Sequence, residues 1–230
     1  MATLSVIVPV LNEAGSVEST LRSLMPWRDA GTQVIVVDGG SVDGTRALAV
    51  PLADIVLAAP CGRAAQMNAG ARVAAGDVLL FLHADTLLPA AGLAALRAAL
   101  DPPACAWGRF DVEIDGGGPL LRVVAALMNL RSRLSGVATG DQAIFVRREA
   151  FEAVGGFPDI PLMEDIALSR ALNRLSPPAC LRERARTSAR RWERRGVLRT
   201  VFLMWRLRLA YALGADPRHL ARLYEVERTS

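Results

Sequence analysis

The chain has 230 residues, a mass of 24.6 kDa, 52% hydrophobic residues and a formal charge of +4 at neutral pH, which fits one α/β domain with a full core and is short for two. No apolar run reaches the ~18 uncharged residues of a membrane span, and Cys61, Cys105 and Cys180 form no CxxC pair, which speaks against a zinc site or a disulfide framework. The N-terminus carries no basic segment ahead of an apolar stretch, so a cytoplasmic location is the expectation.

Strands are predicted near 4–10, 33–37, 54–58 and 77–82, alternating with helices near 15–25, 43–49, 62–75 and 89–100. The strand runs are rich in Val, Ile and Leu and bounded by turn residues, as in strands buried on both faces, and the alternation predicts a parallel, doubly wound first half. Residues 106–114 alternate apolar and polar side chains, predicting a half-exposed strand, and glycines from Gly116 onward break the chain before a helix at 120–134. Residues 142–147 read as a strand, followed by a helix at 148–154 and a turn at Gly155-Gly-Phe-Pro158. A helix from Glu164 to about Leu175 is stopped by Pro177 and Pro178. The expected division is a domain over 1–190 and a basic helical tail over 191–230.

All 27 basic residues are Arg, and 13 of them fall in residues 181–230 against 5 acids, so the basic character belongs to the tail. Within it, residues 196–214 form a helix pattern whose only charges are Arg199, Arg206 and Arg208. Docking on the domain's own core or on a dimer partner, and peripheral association with anionic lipid, are the readings open for it. No nucleic-acid motif accompanies the Arg cluster, so nucleic acid is not an expected partner.

Asp38 and Asp85 each follow an apolar run that reads as a strand. Ligands of open α/β sheets bind outside the carboxyl ends of the strands, so these two carboxylates suggest a site for a ribose and a metal-bound diphosphate. Asn12 and Glu13, after the first strand, offer an amide and a carboxylate to the edge of a base. Asp38-Gly-Gly-Ser-Val-Asp-Gly-Thr45 has neither the GxGxxG spacing nor a Walker lysine, which disfavours a dinucleotide fold or a P-loop; Asp43 reads as a helix cap. Arg63 opens a helix, where the N-terminus favours anions and the guanidinium adds a bidentate donor; Asn68 fits packing and binding equally.

Val6-Ile-Val-Pro-Val-Leu-Asn-Glu13, the Asp38 segment, Gly62-Arg-Ala-Ala-Gln-Met-Asn-Ala-Gly70, Phe81-Leu-His-Ala-Asp-Thr86, Gly140-Asp-Gln-Ala-Ile-Phe145, Gly155-Gly-Phe-Pro158 and Glu164-Asp165, in this order, resemble the family-2 glycosyltransferases. These are inverting enzymes of the GT-A fold that use nucleotide-activated sugars. The resemblance implies that Pro9 and Glu13 line a nucleobase pocket, that Asp38 and Gly39 meet the base or ribose, and that Arg63 reaches the diphosphate. His83, Ala84 and Asp85 occupy the place of the DxD signature, with His in place of the first Asp. Asp85 stays a ligand for Mg²⁺ or Mn²⁺; His83 would tilt the choice to Mn²⁺ if it coordinates, and otherwise hydrogen-bonds phosphate or ribose. Glu164 and Asp165 match the family's acidic pair, in which the Asp is the catalytic base. Asp141 is the competing base, although the Asp141-Gln142 block is assigned to holding donor or acceptor.

Arg191 and Trp192 match the end of the QxxRW motif of processive relatives, with Ser188 in place of its Gln. The Trp offers a sugar platform and the Arg a diphosphate contact, while the lost Gln argues for single transfer over polymerisation. The expected activity is transfer from a nucleotide-diphosphate sugar, with UDP as the expected carrier, to a small-molecule or lipid-linked acceptor. Phe81-Leu-His-Ala-Asp-Thr86 and residues 188–196 are also similar to a bacterial subgroup, the radical-SAM/selenodomain-associated transferases. Two other classes are a non-catalytic nucleotide-sugar binder and a sugar nucleotidyltransferase; the latter needs a basic Gly-rich loop that Asn12-Glu-Ala-Gly15 does not offer.

Overall fold

The computed structural model describes residues 2–116 and 118–229, with side chains except those of Arg191, Arg194, Arg195 and residues 225–229. The first half runs β1 (Leu4–Val10), α1 (Val17–Ser23), α2 (Met25–Asp29), β2 (Gln33–Asp38), α3 (Thr45–Ala49), β3 (Ile55–Ala58), α4 (Arg63–Val73), β4 (Val78–Phe81), β5 (Thr86–Leu87) and α5 (Gly92–Leu100). It continues with β6 (Trp107–Ile114), α6 (Pro119–Ser135), β7 (Ile144–Arg147), α7 (Arg148–Ala153), α8 (Glu164–Leu172), β8 (Ala179–Thr187), α9 (Arg190–Arg195), α10 (Val197–Ala212) and α11 (Pro217–Thr229). The expected helix at 15–25 is interrupted because Pro26, lacking an amide hydrogen, sits in the first turn of α2.

The strands lie in one sheet in the order β3-β2-β1-β4-β7-β6-β8-β5. β1, β2, β3 and β4 are parallel, which puts the ends of β1, β2 and β4 on one edge, with Val10 opposite Asp38 and Ile7 opposite Phe81. β7 runs antiparallel to β4, with Phe81 opposite Ile144, so the chain entering β7 starts at that same edge.

Alternation along each strand fills both faces. Val6, Val8, Val34, Val36 and Leu80 pack with Leu21, Trp27 and Leu96 on one side. Ile7, Ile35, Val37, Leu79 and Phe81 pack with Met67, Phe151 and Leu168 on the other.

Residues 107–114 are not half exposed. The apolar positions are buried, and the polar Arg109 is fully enclosed under α6, paired with Asp111 and bonded to Ser132 Oγ at 3.0 Å. Asn129 of α6 adds a two-way clamp on the backbone of Val112, donating at 3.0 Å and accepting at 2.8 Å. A helix carrying its own polar partners thus covers what a sequence pattern shows as a wet face.

β8 was not predicted, because its outward positions carry Arg182, Arg184 and Arg186 and mask a period-two strand. Arg184 and Arg186 reach Glu113 and Asp115 across the strand pair, at 3.3 and 2.7 Å. The tail closes on the domain: Leu203, Leu207 and Leu220 pack with Met163 and Ile166, and Trp192 packs with Val112, Ile114 and Leu121.

Gly108 of β6 lies where a Cβ would meet Ala179 O and Phe145 Cζ, each at 2.4 Å. Gly108→Ala is expected to lower the unfolding free energy by roughly 2 kcal/mol or more, read from urea denaturation with an unchanged slope.

Candidate active site

Three non-glycine residues among those described have positive φ: Asn12 at 54°, Ala143 at 47° and Met163 at 70°. They stand just after β1, directly before β7 and directly before α8, and strain of this kind persists where the surroundings over-determine it.

Asn12 ends the β1 loop. Its backbone N–H donates to Ser41 Oγ at 2.9 Å and its side-chain oxygen accepts from Val42 N–H at 2.9 Å, so its acceptor oxygen ties two loops together. Asp38 is 4% exposed, and its carboxylate accepts the Ser41 N–H at 3.1 and 3.3 Å. Gly39 leaves only 3.1 Å between a would-be Cβ and the Gln66 amide. That amide was not singled out from sequence. Buried on α4, its Nε2 donates to both Val10 O and Val37 O at 2.8 Å and so locks together the ends of β1 and β2. Pro9 is buried within β1, opposite Val37, and Ala84 is buried with its carbonyl accepting from Thr20 Oγ1 at 2.7 Å.

Asn68 uses both ends of its amide on Phe157, donating to the carbonyl at 2.8 Å and accepting from the N–H at 3.0 Å. It fixes the turn leading to α8. Arg63, exposed at the start of α4, faces the crevice with His83, Asp141, Glu164 and Asp165.

The β5–β8 pairing, with Thr86 opposite Thr187, brings the end of β8 beside Asp85. Arg190 thereby reaches Glu13 Oε2 at 3.0 Å and Asp85 Oδ2 at 3.8 Å, beside a hollow of about 380 Å³. Sequence reading chose its neighbours: the Arg191 side chain lies outside the described residues, and Trp192, 8% exposed, lines a different cavity. A guanidinium against two carboxylates was not legible from the chain, because the carboxylates are more than 100 residues away from it.

His83 stacks over Gly140, where a Cβ would stand 2.2 Å from Nε2, and its Nδ1 lies 3.3 Å from Asp141 Oδ1. Gln142 is fully buried: its Oε1 accepts from Thr139 N–H at 3.2 Å and its Nε2 donates to Asn129 Oδ1 at 3.4 Å. It therefore shapes the turn that presents Asp141. Asp165 accepts from Gly140 N–H at 2.9 Å on Oδ2 and from its neighbour Ile166 N–H at 2.7 Å on Oδ1, which fixes the plane of the carboxylate while leaving a lone pair on each oxygen.

Glu164 is 5% exposed, and its acid is pushed up to about 7 by burial first and by the charge of Asp165 second, with Arg63 and His83 pulling the other way. On the far side of this acidic pair a cavity of about 690 Å³ opens between α6, α8 and α10.

Among the described residues no three His, Cys, Asp or Glu side chains converge as a metal cage. Asp85 lines the hollow beside Arg190, whereas His83 lines the cavity with Asp141, Glu164 and Asp165, so the carboxylate and the imidazole open onto different hollows.

A family model described as Glycosyl transferase family 2 matches residues 5–155. Among solved structures, the chain is similar to the mannosyltransferase PcManGT from Pyrobaculum calidifontis in complex with GDP-Man and Mn²⁺, with a TM-score of 0.66, 23% identity, and coverage of 91% of this chain and 61% of that one. It is similar to S. aureus TarS 1-349 in complex with UDP, with a TM-score of 0.65, 19% identity, and coverage of 81% and 60%. For glucosyl-3-phosphoglycerate synthase from Mycobacterium tuberculosis, in complex with Mn²⁺, UDP and glucosyl-3-phosphoglycerate, the values are 0.61, 20%, 81% and 71%. The chain thus spans 60% to 61% of the first two, and the fold they share with it is GT-A. A search of curated proteins gave no match.

Between pH 4.5 and about 7 the native chain holds the Glu164 proton that the unfolded chain has released, so metal-free protein is expected to lose stability as pH rises through that window. Urea midpoints from pH 4 to 8 should show a decline worth about 3 kcal/mol at most, absent from Glu164→Gln. An identical slope in both proteins would place the coupling elsewhere.

Proposed function

The chain belongs to glycosyl transferase family 2; we propose that it is an enzyme that moves a single sugar, with inversion, from a nucleoside diphosphate sugar to an oxygen of a small-molecule or lipid-linked acceptor. The observation that carries this reading is the placement of Asp165: a carboxylate oriented by two backbone amides, across the His83–Asp141 pair from the loops that carry Asp38 and Asp85.

The nucleoside lies along the ends of β1 and β2, with Pro9, Glu13, Asp38 and Gly39 around base and ribose and Gln66 keeping the two strand ends at fixed separation. Arg63 and Arg190 neutralise the diphosphate from opposite sides, Arg190 exchanging its contact with Glu13 for phosphate oxygens. Asp85 would hold a divalent cation, Mg²⁺ or Mn²⁺, which when bound offsets the charge of the leaving diphosphate. The complexes of the similar proteins, which contain UDP or GDP-Man with Mn²⁺, are consistent with that choice.

Asp165 takes the proton of the acceptor oxygen as that oxygen attacks the anomeric carbon from the face opposite the diphosphate. One base and one displacement invert the centre. Glu164 is the buried neighbour of that base, its own acid raised to about 7 by burial first and by the charge of Asp165 second. The loss of a Gln at Ser188 supports single transfer, and the wording of 81–86 and 188–196 supports the subgroup resemblance.

Asp165→Asn is expected to lower turnover by roughly 10²- to 10⁴-fold, while calorimetric affinity for the preferred nucleotide among UDP, GDP and CDP, each with Mn²⁺, Mg²⁺ or EDTA, stays nearly constant. Full turnover in that variant would reject Asp165 as base. Failure of the wild type to bind any of the three nucleotides would reject the donor site.

A further inference from the structure

The cavity beyond Glu164 and Asp165 has a composition that the donor does not use. Its inner end holds the acidic pair and Arg131 with Arg208, and its walls are Leu127, Leu130 and Leu134 of α6 and Val201, Met204 and Trp205 of α10. One cavity thus joins the candidate base to a hydrocarbon lining.

The outer rim is apolar as well. On α6, Leu120, Val123, Leu127, Leu130 and Leu134 repeat at three- and four-residue intervals and are 45% to 79% exposed. On α10, Leu198, Phe202, Trp205 and Leu209 do the same, continued by Leu213 just past the helix end, at 63% to 80% exposed. The two stripes meet at the cavity, where Leu127, Leu130 and Leu134 face it together with Trp205, and exposed apolar surface of this kind marks an interaction surface. The inner faces of both helices are already committed, α6 to β6 through Asn129 and Arg109, and α10 to Met163 and Ile166. The outer stripes therefore serve something outside the fold.

Arg131 supplies the specificity. Its Nε and one terminal nitrogen are buried without a hydrogen-bond partner, and burial first and the nearby Arg208 charge second make the guanidinium a stronger acid than usual, its pKa lowered to about 10. A guanidinium with two buried nitrogens lacking hydrogen-bond partners, in the wall of a cavity, is a donor that an anion entering that cavity would satisfy.

We propose that the acceptor is a lipid phosphate monoester, a long-chain alkyl or prenyl phosphate whose chain lies between α6 and α10 and whose phosphate meets Arg131. This rests on the transferase reading above and names its acceptor class. A phosphate oxygen of the monoanion attacks the anomeric carbon, its P–O–H proton passes to Asp165, and the bond from that carbon to the nucleoside diphosphate breaks with the electron pair leaving on the diphosphate. The exposed stripes of α6 and α10 seat in the bilayer from which the chain is drawn.

Decyl phosphate below its micelle concentration is the probe, compared with inorganic phosphate and decanol by calorimetry on the full chain, with UDP and GDP binding measured on the same samples. Decyl phosphate is expected to bind at least about tenfold more tightly than either half-ligand, since head and tail contribute together. Arg131→Met should remove that advantage while leaving decanol binding and nucleotide binding unchanged, and should raise the melting temperature, because it deletes two buried guanidinium nitrogens that lack hydrogen-bond partners. Leu130→Asn, at an exposed position, should weaken decyl phosphate and decanol alike. Equal binding of decanol and decyl phosphate, equal binding of inorganic phosphate, or a dimer by ultracentrifugation that excludes decyl phosphate would each overturn the assignment. If nucleotide binding persists in those cases, only the acceptor class falls; if it is lost as well, the donor reading falls with it.

Discussion

The pairing of β7 against β4 is the constraint on which the site depends. Because β7 runs antiparallel, with Ile144 opposite Phe81, the turn that enters it lies at the edge where β4 leaves the sheet. His83 can then rest on Gly140 and face Asp141, and the N–H of Gly140 can hold Asp165 at 2.9 Å. A parallel strand in that position would have sent the same turn to the opposite edge. Gly140 has to lack a side chain, since a Cβ there would overlap the imidazole.

Charge is distributed across the crevice in an order that follows from this geometry. Acids ordered by backbone or basic partners, Asp38, Glu13 and Asp85, line the ends of the first strands, and Arg190 lies against two of them. Across the His83–Asp141 pair sits a second acidic group, Glu164 with Asp165, in which burial leaves Glu164 holding its proton toward neutrality. Behind it the surroundings turn cationic and then apolar, through Arg131 to the leucines of α6. A polar, phosphate-bearing molecule suits the first region, and an amphiphile suits the last.

The last two helices, α10 and α11, act on the site from the side of the acidic pair. Met163, strained at φ 70° and immediately ahead of Glu164, is buried against Leu203 and Leu207 of α10 and Leu220 of α11. Apolar packing of the tail thus contributes to holding the backbone that presents both acids. The opposite face of α10 carries Phe202 and Trp205 to solvent, and the described residues contain no helix long and apolar enough to cross a membrane.

Much of the frame was legible in the chain. Val-, Ile- and Leu-rich runs between turn residues fix β1 to β4 because each such strand has two faces to bury, and the carboxylates that follow β2 and β4 must then emerge at a common edge. The chain also marked the Gly140-Asp141 turn and the Glu164-Asp165 pair. It did not reveal β8, whose alternating arginines look like a solvated run until Glu113 and Asp115 are placed beside them. Nor did it reveal the roles of Gln66, Arg190 and Arg131, since a side chain's role is set by what long-range pairing brings against it. Local periodicity and strand-end chemistry, which the sequence determines alone, decide where a site can form. Which groups meet there, which acid is buried and which guanidinium is left without a partner are decided by tertiary structure, because burial and partnering are properties of neighbours distant in the chain.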